Sequence, residues 1–539
     1  MVRRKSVRAG VAGAVALGML VLSACSGETS SPVDGVVLGT QPNADVLALP
    51  QGETSEQRIA EALEELPDIA ERVLAETDVP GMSIAVVHGD DTVYSQGFGV
   101  REIGADESVT PDTVFQIASL SKPLSATGVA AAIAESESYL DWQTPIRDLM
   151  PGVFFSDPVA AQSATVGDAF SHRTGMFTGT GDDLEDIGYD RDEILQRLQL
   201  NPLDVFRDSY HYSNFGLTVG AEAVAVSRGQ TWEELMDELV FEPLGMDSSS
   251  ARHDDYLSRT DRAVLHAKID GEFTPRYDRD PDAQAPAGGV SSTANDLALW
   301  MRVLLAEGES EQMSIDADAL REAMSPQVIS GGGTDLAVRP SHYGFGFNAS
   351  PLLSGRMAYS HSGAFVLGAG TAFQVVPDLD LGIVVLTNGA PVGAAESVIA
   401  EFTDLVQFGF VTRDWTADFG GVFSGYLTPI GDLAGSEAPG GAALPDGADA
   451  LIGRYTNDYF GDMEIVAVGD GLVARIGPGG VTEMALQPWD EERMAYAPEN
   501  ENAPYGSLAS AWVTHEDGGV QLRLDTFDTR GLGTWTKTS

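Results

Sequence analysis

Phe115-Gln116-Ile117-Ala118-Ser119-Leu120-Ser121-Lys122-Pro123 heads an apolar, alanine-rich run that reaches Ala134. The run reads as a helix. Ser119 and Lys122 lie three positions apart, so on a helix their side chains share a face. Ser119 falls in its first turn, where free N–H groups and the positive dipole end favour developing negative charge. A serine hydroxyl is a weak nucleophile until something takes its proton. A desolvated amine one turn away can be neutral enough to take it. Ser-x-x-Lys alone occurs by chance in most proteins, but lysine usage sharpens it here. The chain has four lysines: Lys5, Lys122, Lys268 and Lys537. Arginine, which does not readily deprotonate, serves almost everywhere else.

Working outward, 539 residues exceed one compact core and imply two domains or a large domain with an appendage. The composition, 43% hydrophobic, is globular. A net charge of −50 repels phosphate backbones and excludes nucleic acid as a partner. Cys25 is the one cysteine, so no internal disulfide and no cysteine-based metal site is expected. The eight histidines show no His-Glu-x-x-His pattern. No metal and no cofactor is implied.

The N-terminus reads as an address. Arg3, Arg4, Lys5 and Arg8 precede an apolar stretch from Val11 to Leu22, too short for a membrane span and suited to a secretory signal. Leu22-Ser23-Ala24-Cys25 resembles a bacterial lipobox, with residues 1–24 as signal peptide and Cys25 as the lipidated residue. The expected location is the outer face of the cell membrane. Arg3-Arg4 leaves the export route open between the general and twin-arginine pathways. Residues 25–54, rich in Gly, Ser, Thr, Pro and Asp, read as a flexible tether.

A helix is predicted over about 55–77, where Ile59, Leu63, Leu66, Ile69 and Val73 recur at helical spacing. Hairpins are predicted over 82–100 and over 370–386, and a helix over about 395–407. The sequence between the hairpins reads as mostly helical and loop-like. The fold class is therefore α/β with an α-rich insertion, spanning 55–430. Residues 431–450, rich in Gly, Ala and Pro, read as a linker. From 451 to 539 short alternating stretches separated by glycine turns read as a small all-β barrel or sandwich.

Further motifs accompany the Ser-x-x-Lys run: Ser171-His172-Arg173-Thr174-Gly175, Tyr212-Ser213-Asn214, Ala287-Gly288-Gly289 and His361-Ser362-Gly363. With them, residues 58–410 resemble serine hydrolases related to penicillin-binding proteins and class C β-lactamases. That family includes DD-carboxypeptidases, D-aminopeptidases and esterases. The resemblance implies an antiparallel sheet flanked by helices, with a helical subdomain. It implies Ser119 as the acylated nucleophile, Lys122 as its proton-handling partner and Tyr212 as a second general acid or base. Asn214 would orient Lys122 and bind a substrate carbonyl. His361, Ser362 and Gly363 would bind substrate from a flanking strand, and the N–H groups of Ser119 and Ala364 would form the oxyanion hole. The segment around His172 would be structural. Many relatives carry lysine where His361 stands, which puts efficient β-lactam hydrolysis in doubt. Gly453-Arg454-Tyr455-Thr456-Asn457 looks like the start of a lipocalin-like domain appended to some of these hydrolases.

The expected activity is thus hydrolysis of a small-molecule or peptide substrate, peptidoglycan fragments included, through a Ser119 acyl-enzyme. D-residue peptides, amides and esters are the candidate classes. The alternatives are a β-lactamase and, from another class, a non-catalytic lipoprotein that binds cell-wall material. Trp489, Trp512 and Trp535 read as core of the β domain rather than ligand contacts.

Overall fold

The computed structural model describes residues 55–538, apart from 153, 311, 333–336, 440–447, 470, 491–492 and 517–518. Cys25, the signal and the tether lie outside the described residues. An eight-stranded antiparallel sheet takes its strands from between Gly81 and Thr387. Its order runs Asp91–Gly99, Gly81–His88, Leu381–Thr387, Ala369–Val376, Met357–Phe365, Asn348–Pro351, Ser341–Tyr343, Val328–Gly331. Both expected hairpins form, and they join each other: Met82 pairs with Thr387 and His88 with Leu381. The two ends of the domain therefore meet at the sheet centre.

The central strand shows why. Every residue of Leu381–Thr387 is buried, so both faces of the sheet must be covered. Successive side chains alternate between two cores. Ile84, Val86, Ile383 and Val385 pack with Ile59, Leu66, Val73, Val398 and Phe402 of helices Ser55–Thr77 and Ala394–Phe408. Ala85, Val87, Val384 and Leu386 pack on the other side with Leu297, Trp300 and Met301 of helix Ala294–Leu305. The three short strands from Val328 to Pro351 were not foreseen. Each has three or four residues, too few for alternation to show. The insertion is mostly helical as expected, with two short ribbons, Phe115–Gln116 against Ser291–Ser292 and Ala267–Ile269 against Glu272–Thr274.

The C-terminal part is a closed eight-stranded barrel. Closure comes from Gly453–Thr456 pairing with Thr534–Lys537, with Tyr455 opposite Lys537. Trp535 is core, as expected, stacked on Phe460 at 5.2 Å, with Phe527 edge-on to Phe460 at 5.1 Å. Trp489 packs with Leu433, while Trp512 lies between the guanidiniums of Arg493 and Arg523 at 5.0 and 5.6 Å. Within the stretch read as linker, Asp432 accepts from the N–H of Ser510 at 2.8 Å, so its start is bound to the barrel.

The barrel is not a separate body. Tyr455, Tyr459 and Phe460 share one hydrophobic core with Leu184, Ile187 and Leu198 of the helical insertion. Tyr189 donates to the carbonyl of Phe460 at 2.9 Å, and Tyr459 to Asp183 at 3.0 Å. Replacing Phe460 with Ala removes the ring on which Trp535 and Phe527 pack. The expected loss is about 3–5 kcal/mol, read as a lower denaturant midpoint of intrinsic tryptophan fluorescence.

Candidate active site

The nucleophile run folds as one tight 3-10 turn, Ala118–Leu120, followed by helix Ser121–Ala134. Ser119 thus precedes the first helical turn in which it was expected. Ala118 has φ 49, the left-handed region that a Cβ disfavours. The surrounding structure holds this backbone in place. Ser121 donates to the Ala118 carbonyl at 2.7 Å and receives the N–H of Val290 at 3.0 Å, and Thr371 donates to the Ile117 carbonyl at 2.8 Å.

The turn keeps Ser119 and Lys122 together. Lys122 Nζ lies 2.8 Å from Ser119 Oγ, 2.8 Å from Asn214 Oδ1 and 2.9 Å from the Ala287 carbonyl. Tyr212 donates its phenol to Ser119 Oγ at 2.8 Å, and Lys122 Nζ stands 4.6 Å from the centre of its ring. Asn214 is free to do this because Ser213, not Asn214, caps helix Asn214–Arg228 by accepting from the N–H of Gly216.

Burial sets the charge states. Lys122 has no solvent exposure. Desolvation lowers its amine to about 7, against the upward pull of Asp182. Tyr212 moves the other way: burial holds its phenol well above 10, despite the bond to Ser119. The resting site is therefore a phenol, a hydroxyl and an amine near its titration point. Two of the amine's neighbours, the Asn214 amide oxygen and the Ala287 carbonyl, can only accept. A neutral Lys122 spends both N–H groups on them and turns its lone pair to Ser119 Oγ.

His361 lines the same cleft but is engaged within the protein. Its Nδ1 bonds the Ser362 carbonyl at 2.7 Å, so that nitrogen carries the proton, and Nε2 accepts from Tyr343 at 2.9 Å. Burial, helped by Lys122, lowers it to about 3, so it is neutral at pH 7. Ser362 lines the cleft, near Glu396, whose carboxyl burial raises to about 7. Gly363 permits close approach: a Cβ there would stand 2.3 Å from the Ile117 carbonyl and 3.2 Å from the Ser119 nitrogen. His172 stays away from Ser119. Its Nδ1 accepts from the N–H of Ser213 at 3.2 Å, and its ring packs on Tyr210, Tyr212 and Tyr343.

The cleft encloses about 560 Å³ and includes Ser119, Tyr212, Asn214, His361 and Ala364. Three of its other residues were not legible in the sequence: Asp182, Arg279 and Glu501. Glu501 comes from a barrel loop and accepts from the N–H groups of Val366 and Leu367, at 2.8 and 3.3 Å, in the turn after the His361 strand. No local motif surrounds these residues, and only the folded chain brings them to Ser119. Among the described residues no group of His, Cys, Asp or Glu is arranged to hold a metal ion.

Residues 59–407 match the β-lactamase family. The chain belongs to that family. Penicillin-binding protein 4 of Amycolatopsis lactamdurans is 31% identical over 341 residues, covering 62% of this chain and 85% of the relative. Unguisins hydrolase ungD' of Aspergillus campestris is 26% identical over 341 residues, covering 60% of this chain and 61% of the relative. The octameric penicillin-binding protein homologue from Pyrococcus abyssi shares the fold, with a TM-score of 0.54 at 18% identity over 88% of this chain and 99% of that one. In this β-lactamase-family chain the serine, the lysine and the tyrosine of the sequence reading converge within hydrogen-bond reach. Gly363→Ala should displace the nucleophile turn. An ångström-scale shift costs about 100-fold in rate, measured as slower fluorophosphonate labelling of Ser119 in protein with unchanged circular dichroism.

Proposed function

We propose that the chain is a serine hydrolase that cleaves D-residue peptides, amides or esters through an acyl-enzyme on Ser119. One observation carries this reading: Ser119 Oγ sits 2.8 Å from both Lys122 Nζ and Tyr212 Oη, with the amine near neutrality. Ser119 attacks the carbonyl carbon while its proton passes to Lys122. The tetrahedral oxygen is held by the N–H groups of Ser119 and Ala364. Tyr212, a phenol at rest, gives its proton to the leaving group, and Lys122 returns one to it. Water then attacks the ester by the reverse proton path and frees Ser119. The raised phenol favours Lys122 over Tyr212 as the base in the first step. An assembled nucleophile and base also argue against a purely binding role. Hydrolysis agrees with the name of the unguisins hydrolase to which the chain is similar.

The chain is further proposed to be exported and anchored in the membrane by a lipid on Cys25. Cys25→Ser should then move the protein from the membrane fraction to the soluble fraction and remove incorporation of an alkyne fatty acid. Incorporation that persists in the variant would overturn the anchor.

Ser119→Ala should abolish both turnover and the single fluorophosphonate adduct seen by intact mass. Persisting turnover in pure variant protein would reject the nucleophile. The amine accepts a proton only when neutral, so labelling should rise with pH through about 7, the value to which burial lowers Lys122. Lys122→Arg should lose that limb and slow labelling by about 10²–10⁴.

A further inference from the structure

The cleft presents little free positive charge to a substrate. His361 is neutral, with both ring nitrogens bonded inside the protein. Arg279 is the one arginine among the described residues that line the cleft, and its charge is opposed. Its Nη2 donates to Glu185 at 2.5 Å, its Nη1 to the Asp280 carbonyl at 2.9 Å, and its Nε lies 4.0 Å from Glu501. Asp182 and Glu501 line it from the acidic side; burial raises them to about 7 and about 8, so each ionises fully only beside an incoming cation. Asp182 receives two long bonds from Asn214 Nδ2, at 3.4 and 3.5 Å, beyond the range of a strong hydrogen bond. Its lone pairs therefore remain available beside the residue that positions Lys122. Glu185, behind the cleft wall, is spent on Arg279 and Gln284, which leaves Asp182 as the carboxyl with the weakest partners in the cleft.

We propose that the cleft takes uncharged or cationic acyl donors and rejects those with a carboxylate beside the scissile carbonyl, Asp182 being the group that holds a substrate ammonium. The proposal rests on the acyl-enzyme reading and narrows its substrate class. An entering carboxylate would meet no free cation and would stand near Asp182. Above pH 7, where Asp182 is ionised, one such repulsion in a site of low effective dielectric is worth about tenfold in rate. An entering ammonium meets the opposite field. The net charge of −50 adds a long-range bias of the same sign, which salt screens, whereas a contact inside the cleft survives salt better.

The test uses three p-nitrophenyl esters of equal length, capped by trimethylammonium, tert-butyl or carboxylate, with the full mature chain. The first two caps have the same shape, so their ratio reports charge alone. Expected is kcat/KM in the order trimethylammonium, tert-butyl, carboxylate, with at least about a tenfold span that persists at high salt. Asp182→Asn should bring the first two esters together. A carboxylate ester cleaved as fast as its tert-butyl counterpart would overturn the proposal. So would a preference that vanishes at high salt and ignores Asp182→Asn. Calorimetry of the corresponding unreactive amides with Ser119→Ala should give the same order of affinities without turnover. That order in Ser119→Ala, together with no fluorophosphonate adduct on the parent, would reject the acyl-enzyme and keep the charge selection.

Discussion

The ε-amine of Lys122 is sealed from water and held by three oxygens, those of Ser119, Asn214 and Ala287. Burying an ammonium is costly unless it is paired, so the group shifts its pKa and gives up its proton instead. The shift to about 7 disfavours the charged form by roughly 5 kcal/mol. Much of the domain's architecture serves to keep that amine dry and aimed. Helix Ser121–Ala134 is buried through most of its length. Ser125 donates to the Pro286 carbonyl at 2.6 Å, which fixes the turn whose next carbonyl meets Lys122. Gly346 lies against the Lys122 backbone so closely that a Cβ would stand 2.7 Å from its carbonyl oxygen. Loosening any of these walls would let water in and restore an ordinary, protonated lysine.

Residues near one another in the chain were legible before the fold was known. Ser119 and Lys122 announce themselves because three positions on a helical turn is a local relation, and Tyr212 with Asn214 because their motif is contiguous. The hairpins were legible for the same reason, each being a period-two pattern around a turn. The short strands from Val328 to Pro351 were not, since three residues carry no period. Asp182 and Glu501 were invisible for a different reason. Their roles come from where burial and another domain place them, and 319 positions separate them in sequence. Ser362 shows a subtler gap. The motif gave its position in the cleft, while its nearness to Glu396 depends on a helix packed against the sheet.

The barrel changes how the C-terminal part should be understood. A domain joined by a Gly- and Pro-rich stretch suggests a module that could be exchanged. Here its aromatic core is continuous with that of the helical insertion, and Glu501 grips the turn that follows the His361 strand. The barrel is part of the cleft wall, to which it contributes Glu501 and Asn502.

The pairing of Gly81–His88 with Leu381–Thr387 also governs when the enzyme can exist. A strand near the beginning of the domain waits for one about 300 residues later, and that long loop must close before its contacts reward it. During synthesis the nucleophile turn, the lysine helix and the tyrosine motif all emerge long before the sheet centre can form. A growing chain therefore holds all three reactive side chains without the site that couples them. The walls around Ser119 come together only as the final central strand docks between its two neighbours.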